Sequence, residues 1–243
     1  MIEGNIDIIF TLMIILSGGT KGGSGKSTIV VNLSVMRASE KHEVLLVDAD
    51  KQGTATDFSL KRQETLGSTT YTYIRLGGKA VRDETLKLAD KYDDIFIDVG
   101  GRDTPEQRSA LAAADIFLVP FCPSSFDVWP LDQIDELLDD ALPFNPDLKA
   151  FSFLNKADSR GVDNDEAIEL AKESQHLTYL PALVGLRKIY RSAASQGLAV
   201  TEYKPADKKA IDEIWQLYDS IFNPNSDIKR GGRRKSKRSN AFR

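Results

Sequence analysis

Few architectures accommodate the succession MIILS, GGTKGGSGKST and IVVNLSVM that runs from residue 13 to residue 36. A short apolar run enters a loop crowded with glycine, and the loop opens directly into a stretch of helical length. Glycines let consecutive backbone amides curl around an anion, and a helix N-terminus adds its partial positive charge. In such a loop Lys26 would reach the outer phosphates of a nucleotide, and the Ser27 hydroxyl would ligate Mg²⁺. The same strand, loop and helix rhythm recurs along the chain. Buried strands are expected at 13–17, 43–48, 94–99, 115–121, 150–155 and 178–184, with helices at 26–40, 80–91, 104–113, 128–142, 163–174, 186–196 and 206–222. Continuous apolar strands alternating with helices predict an α/β fold, a doubly wound, mostly parallel sheet with helices on both faces. In that fold ligands sit at the carboxyl ends of the strands.

Composition narrows the chemistry. With one cysteine, Cys122, and two histidines among 243 residues, a disulfide framework or a His/Cys-rich metal centre is excluded. The cysteine usage fits a reducing compartment and a cytoplasmic location. The apolar segment IDIIFTLMIIL near the N-terminus is broken by Asp7 and Thr11, which argues against a membrane span or a leader. Residues 1–12 are therefore expected to be an extension before a nucleotide-binding domain at 13–224. Residues 225–243 are expected to form a basic, disordered tail. That tail holds Lys229, Arg230, Arg233, Arg234, Lys235, Lys237, Arg238 and Arg243 with no acid beyond Asp227, so the body is more acidic than the net charge of −4 implies. Such a block is either a solvated tail or an electrostatic contact to nucleic acid or an anionic surface.

Polar residues cluster where the expected strands end. VDADKQGTATD places Asp48 and Asp50 after the second strand, and a carboxylate there can orient or deprotonate a water attacking a terminal phosphate. DIFIDVGG ends its apolar run on Asp98, the position of a Mg²⁺-binding acid. FLNKAD ends a strand on Asn155, where an isolated asparagine is commonly a turn former. Asp127 reads as a helix N-cap with Pro130 in the first turn. Arg187, Lys188 and Arg191 are spaced to share one helical face.

The loop Lys21-Gly22-Gly23-Ser24-Gly25-Lys26-Ser27-Thr28 has threonine rather than glycine at position 20 and a second lysine at 21. This KGG-x-GK-[ST] pattern resembles the deviant Walker A motif of the ParA/MinD family of P-loop NTPases. The Asp48/Asp50/Gln52/Gly53 block, the Asp127/Trp129 segment and the LRKIYRSAASQGLAVTEY block match that family in order, over about residues 13–222. The resemblance implies an ATPase using ATP and Mg²⁺. Lys21 would reach across an ATP-sandwich homodimer to the other subunit's phosphates. Asp50 would be the catalytic residue that orients or deprotonates the attacking water, Asp48 would lie nearer the metal and loop, and Asn155 would read adenine. It also implies nonspecific DNA contact through Arg187, Lys188 and Arg191, joined by Arg233, Arg234 and Lys235 of the tail, and a nucleoid-associated location. A ParB-like or other adaptor would stimulate hydrolysis, and the cycle would segregate or position a plasmid, a chromosome origin or a protein assembly. Lys51 stands where the family commonly has proline.

Two alternatives stay within the same loop chemistry. A MinD-like membrane-surface ATPase needs a C-terminal amphipathic helix, and after Pro224 the only bulky apolar residues are Ile228 and Phe242, so no membrane is expected. A factor acting on conjugative transfer DNA is the nearer variant. An iron–sulfur relative is excluded because two copies of Cys122 cannot supply four ligands.

Overall fold

The computed structural model describes residues 12–123, 130–158 and 162–224. The expected extension at 1–11, the pair Asp127 and Trp129, the Pro130 side chain and the basic tail from 225 onward, including Arg233, Arg234 and Lys235, lie outside the described residues. The elements run β1 (Met13–Ser17), α1 (Lys26–Ser39), β2 (Val44–Asp48), α2 (Thr54–Leu66), β3 (Thr72–Arg75), α3 (Ala80–Leu88), β4 (Asp94–Asp98), α4 (Pro105–Leu111), β5 (Ile116–Phe121), α5 (Pro130–Ala141), β6 (Lys149–Ala157), α6 (Val162–Lys172), β7 (Thr178–Gly185), α7 (Lys188–Ala194) and α8 (Lys208–Phe222).

Seven strands form one sheet in the order β3-β2-β4-β1-β5-β6-β7, and every pairing is parallel. Alternate residues of each central strand enter opposite cores. Ile14, Leu45 and Ile97 pack with Val81, Leu111 and Leu137 on one face. Ile15, Leu46 and Phe96 pack with Ile29, Leu33 and Leu217 on the other. The expected sheet is thus found, with one strand more than the sequence pattern showed. Its two prolines sit where a ladder donor is dispensable. Pro120 lies beyond Leu118, the last β5 residue paired to β1, and Pro181 lies in the edge strand β7.

The unexpected pieces are α2 and β3. β3 is a four-residue edge strand, half exposed, and carries no apolar run. α2 buries Ala55, Phe58, Ser59 and Arg62. Arg62 is 2% exposed and donates to the Thr69 carbonyl at 2.8 Å, the Gly197 carbonyl at 3.1 Å and both carboxylate oxygens of Glu202 at 2.7 and 2.8 Å. From the neighbouring helix α1, buried Asn32 accepts from the Val200 amide at 2.8 Å. Segment 197–202, which follows α7, is therefore gripped by the helix that leaves the glycine loop and by the helix that follows Asp50.

Candidate nucleotide site

The carboxyl ends of β1, β2 and β4 lie level, with Ser17 paired to Asp98 and Asp98 paired to Asp48. The glycine loop rises from this level and closes into α1 at Gly25, whose φ of 95° is left-handed. A Cβ at Gly25 would also overlap the Asn155 amide, so both backbone and neighbour require glycine. Beneath the loop Lys26 is buried at 6% exposure, and its ammonium donates to the Lys21 carbonyl at 2.8 Å. Burial pulls the Lys26 ammonium below the ordinary lysine value, with Asp98 and then Asp50 opposing. Lys21 itself is exposed at the crest of the loop.

Asp98 is fully buried, and neither carboxylate oxygen has a hydrogen-bond partner. Burial pushes its carboxyl up to about 7. The Ser27 hydroxyl is close enough to oppose the rise without meeting full hydrogen-bond geometry, while Asp48 and Asp50 add to it. Two orphaned oxygens on a buried acid beside a hydroxyl fit a hard divalent cation such as Mg²⁺. Among the described residues no group of three or more His, Cys, Asp or Glu side chains could hold a metal alone. A cation here would thus draw its remaining ligands from water and phosphate, which suits Mg²⁺.

Asp48 and Asp50 divide the work of the next loop. One Asp48 oxygen accepts from the Asp50 amide at 3.1 Å, and the other takes the Thr56 amide at 2.8 Å and hydroxyl at 2.6 Å. Asp48 thereby ties down the first turn of α2, a role on the loop side of its expected place. Asp50 accepts from the Gln52 amide at 3.0 Å. Arg75, from the unexpected β3, donates to the carbonyls of Asp50 and Lys51 at 3.2 and 3.4 Å. The loop after β4 completes the enclosure. A Cβ on Gly101 would stand 2.5 Å from the Gly22 backbone and the Lys21 carbonyl, whereas one on Gly100 would meet Asp50 at an ordinary 3.4 Å. Gly101→Val is accordingly expected to weaken nucleotide binding by about tenfold or more, while Gly100→Ala leaves it near wild type. Titration with a fluorescent ATP analogue checks the pair.

On the far side, buried Asn155 donates to the Ser24 carbonyl at 2.7 Å. A groove runs from Gly25 and Thr28 past Asn155 to Gly185, Arg187 and Arg191. Residues 15–200 match the sequence family described as the CobQ/CobB/MinD/ParA nucleotide binding domain. The chain belongs to this family. Within the CobQ/CobB/MinD/ParA family it is 29% identical over 217 residues to the maintenance of carboxysome distribution protein A of Halothiobacillus neapolitanus, covering 87% of this chain and 96% of that protein. It is 30% identical over 195 residues to the chromosome partitioning protein ParA of Myxococcus xanthus, covering 64% and 69%. Among solved structures, apo McdA of Cyanothece superposes with a TM-score of 0.71 at 18% identity, over 86% of this chain and 99% of that one. The cell division ATPase MinD of Pyrococcus furiosus gives 0.68 at 19%, over 86% and 98%. At these identities the superpositions show the CobQ/CobB/MinD/ParA fold.

The basic trio departs from its expected geometry. Helix α7 begins at Lys188, so Arg187 precedes it, and its guanidinium makes a two-pronged contact with Glu213 at 2.8 and 2.5 Å. The same carboxylate accepts from the Gly185 amide at 3.1 Å, which makes Arg187 part of the β7 turn. Lys188 and Arg191 remain exposed and three residues apart, on one face of the helix. Sequence reasoning also missed Gln107, which is buried and accepts from the Gly19 amide at 2.9 Å. The helix start at Thr104 and Pro105 is visible in the sequence, but its approach to Gly19 is not, because Gln107 and Gly19 lie 88 residues apart.

Proposed function

We propose that this chain is a ParA-type ATPase. Two ATP-bound subunits pair face to face, the dimer holds DNA without sequence preference, and partner-stimulated hydrolysis releases it, so that a bound cargo is positioned. The observation that carries this reading is the division of labour within one loop. Lys26 is buried, where it would serve its own subunit, while Lys21 is exposed, where a second subunit would approach. ATP fits the base groove. With the Asn155 amide nitrogen committed to Ser24, its oxygen is the atom left to accept from the amino group of adenine, where guanine carries a carbonyl. Asp98 and Ser27 would hold Mg²⁺, which neutralises charge developing on the phosphates, and Asp50 would orient the attacking water. The relatives named for carboxysome distribution and chromosome partitioning support a positioning role, and an adaptor protein would supply the stimulus. The same likenesses support a cytoplasmic, nucleoid-associated location. Among the described residues no helix is long and apolar enough to cross a membrane.

The test is DNA binding by the full chain with ATP, with ADP and without nucleotide. Binding confined to the ATP state is expected. Binding that ignores nucleotide, also in a chain with Arg233, Arg234 and Lys235 changed to glutamine, would sink the reading. Capture by anionic vesicles and not by DNA would move it to a membrane-surface ATPase. Changing Lys188 and Arg191 together to glutamine is expected to weaken binding to all sequences alike and to lower the salt slope by about two for each subunit that contacts DNA.

A further inference from the structure

A third lysine touches the phosphate loop, and the fold bends a strand to place it there. After an earlier shift between Ser152 and Leu154, β6 and β7 pair Leu154 with Leu183 and Asn155 with Val184, then shift again so that Ala157 pairs with Gly185. Lys156 is the inserted residue, and its φ of 55° is left-handed. Bulges of this kind re-aim side chains beside functional sites. In a regular strand Asn155 and Lys156 would point to opposite faces. Here both reach the loop, Asn155 to the Ser24 carbonyl at 2.7 Å and the Lys156 ammonium to the Gly23 carbonyl. With Lys26 on the Lys21 carbonyl, three carbonyls of the loop are each held by a side-chain N–H donor.

We propose that Lys156 is a positioning residue of the nucleotide loop, holding the Gly23 carbonyl outward so that the following amide stays turned towards the phosphates. The planar trans peptide makes this transfer rigid, because its N–H points opposite to its C=O. Fixing the carbonyls of Lys21, Gly23 and Ser24 fixes the amides of Gly22, Ser24 and Gly25. The loop therefore meets its anion with donors already aimed, rather than ordering them on binding. A left-handed backbone strains any residue but glycine, so lysine at 156 is retained at a cost that its ammonium offsets.

The proposal rests on the nucleotide-binding reading above, and the experiment separates the two. Lys156→Gly removes the side chain while relieving the backbone, so the variant is expected to melt at or above the wild-type temperature. It should nevertheless bind a fluorescent ATP analogue about tenfold more weakly, the loss of one charge-assisted hydrogen bond. Lys156→Arg, which keeps a cationic donor, is expected to recover most of that loss. In steady-state hydrolysis the glycine variant should raise KM and leave kcat near wild type. Unchanged affinity in Lys156→Gly, or no recovery in Lys156→Arg, would overturn the proposal alone. A wild-type chain that bound no nucleotide would overturn the functional reading with it.

Discussion

Lys21→Ala is expected to bind ATP and to stay monomeric. The lysine is exposed in the single subunit, where water reduces its pull on a phosphate to about 1 kcal/mol at 4 Å. Closed into a dry interface, the same charge gains several-fold, so its contribution should emerge only in the dimer. The expected result is nucleotide affinity within about threefold of wild type, since Lys26 is untouched, with stimulated hydrolysis down by roughly a hundredfold or more. Size-exclusion chromatography with ATP, alongside phosphate release, reads both quantities. A variant that dimerises as wild type does would show that Lys21 acts within its own subunit, and the sandwich arrangement would fall.

The second large effect is on stability. Arg62→Ala would leave Glu202 without its two-pronged partner and strip donors from the carbonyls of Thr69 and Gly197. Arg62 is buried but the Glu202 side chain is 32% exposed, so the loss falls at the low end of the range for a buried pair, about 3 kcal/mol. For a domain of this size that corresponds to a fall of roughly 10 °C in Tm. Differential scanning calorimetry tests this directly, and a loss of only a degree or two would mean that water replaces the guanidinium. Because segment 197–202 follows α7, the loosened variant should also respond less to nucleotide at Lys188 and Arg191. That effect is measurable as a smaller difference in DNA affinity between ATP and ADP.

The fold was legible where it is written locally. β1, β2, β4 and β5 stand out as short apolar runs because they are almost wholly buried, β6 and β7 although only partly covered, and the loop from Lys21 to Thr28 is contiguous in sequence. β3 was not legible because an edge strand half open to water needs no apolar run. α2 was hidden for a different reason. Its N-cap is a left-handed glycine rather than a side-chain acceptor, and its buried face includes an arginine whose partner, Glu202, is 140 residues away. The site shows the same divide. Asp50, Asp98 and Asn155 each sit at or near a strand end that the pattern located, and Lys26 opens the helix that follows the glycine loop. Arg75, Gln107 and Lys156 reach the loops through pairings between distant segments, which a linear reading does not display. Arg187 misled because helical spacing was counted from a residue that lies outside the helix.

The parallel register also has a temporal side. β1, the strand that delivers the phosphate loop, lies between β4 and β5, and Ile15 finds Phe96 on one side and Ile116 on the other. Among the described residues, no strand contiguous with β1 in the chain pairs with it. Closing such distant contacts is slow, and it exposes apolar strand edges until it is done. During synthesis β1 must therefore wait until β5, ending at Phe121, has been made before both of its neighbours exist. The glycine loop precedes both strands that seat it, so a nascent chain is expected to gain nothing from a nucleotide until β5 has left the ribosome.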